Sequence, residues 1–224
     1  MNLLLLAVAP VLVILMYIYI HDKYDKEPPS LLIGCFLLGA VASVILVFLL
    51  YAIFGNFTRI TDSYSIEQHF IHAFVGVALV EEFSKYIIVR YYAQTKSAFD
   101  EPYDGIIYAV MVSMGFACTE NILYVLEGGY QVALLRAFTA VPAHATFAIL
   151  MGYYMGKAKF STHRIRLNLT GLLLAVIFHG AYDFFLFINF VPGISIGAFI
   201  SLIVGIILAK KAIRIHQENS NFKG

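Results

Sequence analysis

Long apolar stretches alternate with short polar segments along the chain, and each apolar stretch approaches the length of a membrane span. A helix needs about 20 predominantly apolar residues to cross a bilayer. Proline and glycine pairs such as Pro28-Pro29 and Gly128-Gly129 separate several of the stretches, as expected of turns between helices. The pattern predicts seven transmembrane helices, at residues 2–20, 31–54, 67–92, 104–126, 132–156, 168–188 and 194–210.

The composition supports a membrane protein with several spans. Hydrophobic residues make up 61% and charged residues 13% of the 224 positions, and the mean hydropathy is +0.82. Such values lie outside the range of soluble globular proteins. No linker is long enough to divide the chain, so the sequence predicts an all-α, polytopic transmembrane helix bundle that forms a single domain, residues 1–224. The first stretch lacks a basic leader and a small-residue cleavage site, so we expect a retained helix.

The basic residues predict the orientation of the helices. Most of the 15 lysines and arginines fall in alternate loops, and cytoplasmic loops carry the excess of such residues. The N-terminus is therefore expected outside and the C-terminus in the cytoplasm. The exceptions are Arg59, Arg136 and Lys85. The residues that follow the rule are Lys23, Lys26, Arg90, Lys96, Lys157, Lys159, Arg164, Arg166, Lys210, Lys211, Arg214 and Lys223.

Two adjacent carboxylates, Glu81 and Glu82, interrupt the apolar third span. An ionisable group near the bilayer centre costs a few kcal/mol or more, so such groups usually have a function. Three other spans each carry interior polar groups at a similar predicted depth. These groups are Glu120 with Asn121, then His144, and then His179 with Asp183. The pattern indicates one site assembled from four helices.

The spacing within the spans predicts local pairs. Lys85 follows Glu81 by four residues and Glu82 by three, which places it within reach of both carboxylates. Asp183 follows His179 by four residues and can orient its ring. Simpler interpretations exist for single residues: Lys85 could extend to the cytoplasmic interface, and an isolated histidine often only links helices. The adjacent glutamates have no comparable structural explanation.

Acids and imidazoles in a low-dielectric cavity permit three chemistries. The first is hydrolysis, with a glutamate as general base toward water and a histidine or asparagine stabilising an oxyanion. The second is a zinc site in which His144, His179 and one or two glutamates bind the ion. The third is proton or ion translocation. The residues alone do not choose among the three.

Four motifs in sequence order resemble those of the PrsW family of intramembrane proteases. Each motif alone is weak, whereas the set is specific, and the resemblance covers roughly residues 67–190. The motifs are Glu81-Glu82-Phe83-Ser84-Lys85, Asp104-Gly105 followed by residues 115–121, Pro142-Ala143-His144, and His179-Gly180-Ala181-Tyr182-Asp183. The family is related to the CAAX prenyl endopeptidases and to bacterial immunity proteins. The resemblance implies an all-helical fold with a catalytic core at residues 67–190 inside the membrane.

The resemblance also implies roles for the polar residues. Glu81 and Glu82 match the glutamates thought to activate water, so the expected catalytic residues are these two with His144 and His179. The expected supporting residues are Lys85, Glu120, Asn121 and Asp183. No cofactor is certain from the resemblance, because related enzymes are described as metal-free whereas PrsW has also been grouped with metalloproteases. If a divalent metal such as zinc binds, its expected ligands are Glu82, Glu120, His144 and His179.

The resulting hypothesis is a multi-pass endopeptidase of the bacterial cytoplasmic membrane. Its expected partners are the lipid bilayer and a single-span membrane protein substrate, an anti-sigma factor by analogy with the family, and no nucleic acid. Water is expected to enter from the outer side. Two rival hypotheses are a non-catalytic binding or immunity protein of the same fold and a proton-coupled transporter, although no inverted repeat is visible.

Overall fold

The structure is a computed structural model that describes residues 3–22, 24–220 and 222. Throughout this described part the chain forms helices, turns and loops, without a β-strand. The predicted start of the first span at residue 2 lies outside the described residues, as do Lys23 and Lys223. The all-α fold predicted from the sequence is confirmed.

Each predicted span overlaps a long helical segment, although the fourth segment ends later and the fifth begins later than predicted. Two of them contain a short stretch of wider π-helix: residues Gly39–Ser43 within α2 and His72–Leu79 within α3. A 3₁₀ turn at Ala93–Thr95 follows α3. The segments are α1, Leu3–His21; α2, Pro29–Phe54; α3, residues 66–91; α4, Asp104–Phe138; α5, Ala140–Lys159; α6, Arg164–Phe187; and α7, Ile196–Glu218.

Five stretches of the described chain are long and apolar enough to cross a membrane: α1, α2, the continuous stretch Asp104–Lys159, α6 and α7. The stretch Asp104–Lys159 contains both α4 and α5, so it counts once although it holds two helices. Helix α3 is not among the five, and it is the helix that carries Glu81, Glu82 and Lys85. The chain is therefore a polytopic helical membrane protein.

Local sequence explains where α2 and α3 begin. Pro29 is the first residue of α2, a position where its missing N–H is not needed by the helix. Ser65 caps α3, because its hydroxyl oxygen accepts a hydrogen bond from the backbone N–H of Gln68 at 3.3 Å. The π-helical turns of α3 end at Leu79, two residues before Glu81. Such turns occur frequently at functional sites.

The backbone reverses within α4. Gly129 has φ 67° and ψ −154°, a conformation that favours glycine, and residues 130–138 fold back along the preceding helix. We call residues 130–138 the returning arm. The predicted fifth span, 132–156, is interrupted at Thr139, which has φ −123° and ψ −75°. Pro142 accounts for this break, since its ring would clash with the carbonyl of residue 138 in a continuous helix.

Helix α4 lies at the centre of the bundle, and its residues 104–110 are all buried. Glycine permits close contact with two neighbouring helices. A Cβ on Gly105 would collide with the backbone of Gly152 and Gly156 on α5, and one on Gly115 would collide with the carbonyl of Phe36 on α2. Small residues at such crossings allow helix backbones to touch in membranes. The close contacts fix α5 antiparallel to α4.

A buried carboxyl group connects the α1–α2 loop to the start of α4. The hydroxyl of Tyr108 donates a hydrogen bond to Oε2 of Glu27, whose side chain is buried. Burial and the neighbouring negative charge of Asp104 raise the pKa of Glu27 to about 10. Asp22 and Asp100 act in the same direction. Glu27 is therefore protonated in the folded protein at neutral pH.

The raised pKa of Glu27 predicts a pH-dependent stability. The folded protein keeps this proton up to about pH 10, whereas the unfolded chain releases it above the ordinary value of 4.5. The free energy of unfolding should therefore fall as pH rises between these values. Glu27→Gln, which mimics the neutral carboxyl, should flatten this fall. Melting temperatures in detergent across this pH range provide the measurement, and a variant with the wild-type slope would contradict the assignment. Glu127→Gln, at an exposed position of α4, is the matched control and should keep the wild-type slope.

Candidate active site

The two glutamates of α3 share one buried cation. Nζ of Lys85 lies 2.7 Å from Oε1 of Glu82 and 3.5 Å from Oε2 of Glu81. Lys85 is only 1% exposed, and its ammonium group lies 4.3 Å from the ring centre of Phe116. The alternative interpretation that Lys85 extends to the cytoplasmic interface is therefore wrong. The ammonium instead compensates the carboxylates where water cannot.

A hydrogen bond between hydroxyl groups connects this part of α3 to α2. Oγ of Ser84 lies 2.6 Å from Oγ of Ser43, next to the π-helical turns of α2. The Ser84 hydroxyl also contacts the carbonyl oxygen of Glu81 at 2.7 Å. Both serines are fully buried. These contacts fix the backbone of the glutamate pair against a neighbouring helix.

Helix α6 places His179 between two carboxylates. Nδ1 of His179 lies 2.8 Å from Oε1 of Glu82, and Nε2 lies 3.2 Å from Oδ2 of Asp183. Both contacts suit N–H donors, as a doubly protonated ring provides. The ring of Phe147 stacks on His179 with centres 5.0 Å apart and an angle of 18°. The predicted pair of His179 with Asp183 is thus present, and Glu82 completes it.

Helix α5 places His144 on the other side of the cluster. Nε2 of His144 lies 2.9 Å from Oε2 of Glu120, and Nδ1 lies 3.3 Å from Nζ of Lys85. A lysine ammonium has no acceptor, so Nδ1 accepts and Nε2 carries the proton that Glu120 accepts. The tautomer of His144 thus follows from its two neighbours. The rings of His144 and His179 are perpendicular, with centres 5.4 Å apart.

Arg136 contributes a second cation that the sequence interpretation did not assign to the site. Its Nη2 donates to Oε2 of Glu120 at 2.7 Å, and its Nε donates to Oδ1 of Asn121 at 2.8 Å. Nδ2 of Asn121 donates to the carbonyl of Ala7 on α1 at 2.6 Å. Asn121 is fully buried, and both its amide nitrogen and its amide oxygen are engaged, so it connects α4 to α1 and to the returning arm. A lone arginine outside the positive-inside pattern was the available signal for Arg136.

A cavity of about 620 Å³ lies above this cluster. Its walls include the α2–α3 loop, the returning arm and the end of α6, together with the acids and histidines of the site. Glu81 lines the cavity, whereas Glu82 is fully buried behind it. Oε2 of Glu81 and Oε2 of Glu82 are buried and make no hydrogen bond to any described residue, although Oε2 of Glu81 pairs with the ammonium of Lys85 at 3.5 Å. The Glu81 side chain remains 8% exposed, so a water in the cavity can contact its carboxylate.

The donor atoms fit a metal ion in type and spacing. One ligand atom from each of Glu81, Glu82, His144 and His179 lies within 4.8 Å of the others. Two carboxylates and two imidazoles are suitable zinc ligands. Glu120, an expected ligand, is not in this set, and Glu81 takes its place. Lys85 competes for the same space, since its ammonium contacts three of the four residues.

The structure thus brings the expected catalytic residues and Lys85, Glu120 and Asp183 into one buried cluster. Apolar helices long enough to cross a membrane, with acids and imidazoles clustered at a cavity, define the class of protein as a polytopic membrane protein with a buried site of ionisable residues. Comparisons with known proteins specify the family within this class.

A sequence model described as PrsW family intramembrane metalloprotease matches residues 27–209. Curated relatives named Protease PrsW are similar over most of the chain. The protein of Oceanobacillus iheyensis is 43% identical over 180 residues, which cover 80% of both chains. That of Geobacillus kaustophilus is 41% identical over 180 residues, covering 80% of this chain and 77% of the relative. That of Bacillus subtilis is 36% identical over 181 residues, covering 80% of both. No solved structure matches the chain significantly.

The chain belongs to the PrsW family of intramembrane proteases. It is therefore a membrane-embedded protease, and its substrate lies in the bilayer. The resemblance noted in the sequence is confirmed. The roles of the individual site residues are the subject of the proposals below.

Metal dependence gives a direct prediction. Because Lys85 already compensates Glu81 and Glu82, we expect cleavage by the purified protease to survive removal of divalent metals. The measurement compares cleavage rates before and after treatment with a chelator, together with the zinc content of the protein. Loss of cleavage on chelation and recovery with added zinc would instead assign a zinc ion to the four clustered residues. A known zinc protease treated in parallel shows that chelation is complete.

Proposed function

We propose that this protease hydrolyses a peptide bond by means of a water molecule that Glu81 activates. The observation that carries the proposal is the position of Glu81, which lines the cavity with a side chain that is 8% exposed, whereas the side chain of Glu82 is 0% exposed. A general base must lie within hydrogen-bond reach of the proton it accepts. Glu81 is the member of the glutamate pair that a cavity water can reach.

Glu82 has a different proposed role. It is held between Lys85 and His179 through the same oxygen, Oε1, at 2.7 and 2.8 Å. In this position it fixes the ammonium near Glu81 and orients the imidazole at the cavity wall. The adjacent glutamates thus have different roles: Glu81 accepts the proton of water, and Glu82 positions Lys85 and His179 around it.

The two histidines are proposed to stabilise the transition state at the carbonyl group of the substrate. His144 and His179 both line the cavity, and the doubly protonated ring of His179 places a positive charge there in a site of low dielectric. Negative charge develops on the carbonyl oxygen when water attacks, and this fixed positive charge stabilises it, whereas His144 keeps the ammonium of Lys85 in place through Nδ1. The proton that Glu81 accepts then passes to the leaving amine. Bond formation to water and cleavage of the C–N bond are thereby balanced without a covalent enzyme intermediate.

A zinc-dependent hydrolysis is the second candidate, favoured by the spacing of the four donor residues and by the description of the family. Glu81, Glu82, His144 and His179 would hold the ion. A zinc ion supplies a Lewis acid and lowers the pKa of bound water. In this case Lys85 withdraws from the carboxylates, and Glu120 still orients His144.

For the membrane arrangement, we propose seven spans within a single domain, residues 1–224. Helix α3 counts as a span because its charges are compensated inside the bundle, and α4 and α5 count separately because the chain reverses at Gly129. The N-terminus lies outside, the C-terminus in the cytoplasm, and the cavity opens outward. The catalytic core is residues 67–190, and the membrane is the bacterial cytoplasmic membrane.

For the substrate, we propose a single-span membrane protein cleaved near the outer surface, and specifically an anti-sigma factor. The support is the family resemblance together with the outward opening of the cavity in this arrangement. A binding or immunity protein and a proton-coupled transporter are the rival functions. Membership of a protease family disfavours both.

Replacement of the glutamates tests the mechanism. Glu81→Gln preserves volume but removes the proton acceptor, so cleavage should fall by at least about 100-fold. Glu82→Gln should also reduce cleavage, because it weakens the contacts to Lys85 and His179. The measurement is cleavage of a membrane-anchored reporter substrate by purified variants of equal melting temperature. Near-normal turnover of the double Gln variant would exclude a glutamate base. Glu127→Gln should behave as the wild type.

Reporter fusions test the orientation. Fusions in the loop at residues 157–167 and after Lys210 should report a cytoplasmic location, and fusions in the loop at residues 55–66 an external one, because basic residues concentrate in cytoplasmic loops. Cysteine accessibility in whole cells provides an independent measurement at the same positions. A cytoplasmic 55–66 loop would invert the arrangement and place the cavity mouth in the cytoplasm.

A further inference from the structure

Arg136 reaches the site from an unexpected direction. The reversal at Gly129 carries the returning arm back along α4, so that Arg136 lies beside Glu120 and Asn121, residues that precede it by 16 and 15 positions. The guanidinium group lies 4.3 Å from the ring centre of Tyr124. Its side chain is only 13% exposed. All three partners belong to the part of α4 that precedes the reversal.

Arg136 and His144 together hold one oxygen of Glu120. Nη2 of Arg136 and Nε2 of His144 approach the same oxygen, Oε2 of Glu120, at 2.7 and 2.9 Å. The second contact of the guanidinium, from Nε to Asn121, holds its plane in place. Two fixed donors on one oxygen leave Glu120 a single orientation. Arginine suits this task because its planar group donates in two directions at once.

The orientation of Glu120 in turn determines that of His144. With its Nε2 proton bound by Glu120, the ring presents Nδ1 to Lys85 at 3.3 Å. Lys85 is the cation shared by Glu81 and Glu82. A continuous series of contacts therefore runs from the returning arm to the glutamate pair. Without Arg136, Glu120 would lose its strongest cationic partner and His144 its fixed acceptor.

We propose that Arg136 is a positioning residue of the protease, which holds Glu120 as the hydrogen-bond acceptor of His144 and thereby sets the orientation of His144 against Lys85. The proposal rests on the proposed function of the glutamate pair and adds the returning arm to it. Arg136 also lines the cavity, and the proposal assigns its effect on catalysis to Glu120 and not to a contact with the substrate.

The experiment is a double-mutant cycle between Arg136 and Glu120 in the full-length, purified protease. Arg136→Gln should lower kcat by about 10-fold or more while KM stays nearly constant, because small misplacements of site groups have effects of this size or larger. Arg136→Lys, which keeps the charge but not both contacts, should recover part of the loss. Arg136→Gln should have little further effect when Glu120→Gln is already present, because both changes break the same series of contacts.

Two results would overturn the proposal. One is a multiplicative effect of the two substitutions, which would show that Arg136 acts independently of Glu120. The other is a rise in KM with unchanged kcat, which would show that Arg136 binds the substrate. Arg59→Gln is the matched control, since Arg59 is an exposed arginine in the α2–α3 loop.

A spectroscopic measurement separates positioning from a purely structural role. In protein labelled with ¹⁵N-histidine, the signals of His144, assigned by their loss in His144→Asn, should change in Arg136→Lys and not in Arg59→Gln. Unchanged signals would contradict the proposal even if Arg136→Gln fails to fold. This result is independent of the glutamate mechanism. If Glu81→Gln retains activity, the glutamate mechanism fails, whereas the change of the His144 signals in Arg136→Lys still supports the positioning role.

Discussion

The site depends on one constraint, the compensation of two adjacent carboxylates where water cannot solvate them. An uncompensated charge in a membrane interior is expensive, and each additional one adds to the cost. Lys85 compensates Glu81 and Glu82 from the same helix, one turn away. His179 donates to the same oxygen of Glu82 that Lys85 contacts, and His144 contacts the ammonium itself, so both histidines complete the cluster. Helix α6 must therefore pack against α3 to supply His179, and α5 must pack against α4 and α6 in the register that brings His144 to Lys85.

Charge compensation also divides the work between chemically identical residues. Glu82 is fully buried and bound by Lys85 and His179, whereas Glu81 lines the cavity and has only the longer contact with Lys85. The histidines differ in the same way: His179 lies between two carboxylates, and His144 lies between a carboxylate and an ammonium group. The surroundings of each side chain, and not its residue type, therefore determine which glutamate can act as the base and which groups position it. A zinc ion would change this assignment because it competes with the ammonium group.

Much of this arrangement could be predicted from the sequence, and the rest depends on geometry that spacing does not contain. Carboxylates in an apolar stretch, as at Glu81, have few explanations, so the cluster itself was predictable. Which glutamate faces the cavity was not, because adjacent residues differ by about 100° around a helix and the π-helical turns shift the register. The contact of Asn121 with α1 was not predictable either, because residue spacing does not show which neighbouring helix a side chain faces. Arg136 was missed because its position depends on the positive φ of Gly129, which reverses the chain.

Isotope labelling in a single turnover tests the central claim, that Glu81 activates water and does not attack the peptide itself. The protease and a membrane-anchored substrate are mixed in ¹⁸O-enriched water with enzyme in excess, and both are analysed by mass spectrometry. Direct attack by activated water places one ¹⁸O atom in the new carboxyl terminus of the product and none in the enzyme. Incorporation of ¹⁸O into the peptide that contains Glu81 and Glu82, with unlabelled product, would show attack by a glutamate through a covalent intermediate and would contradict the account.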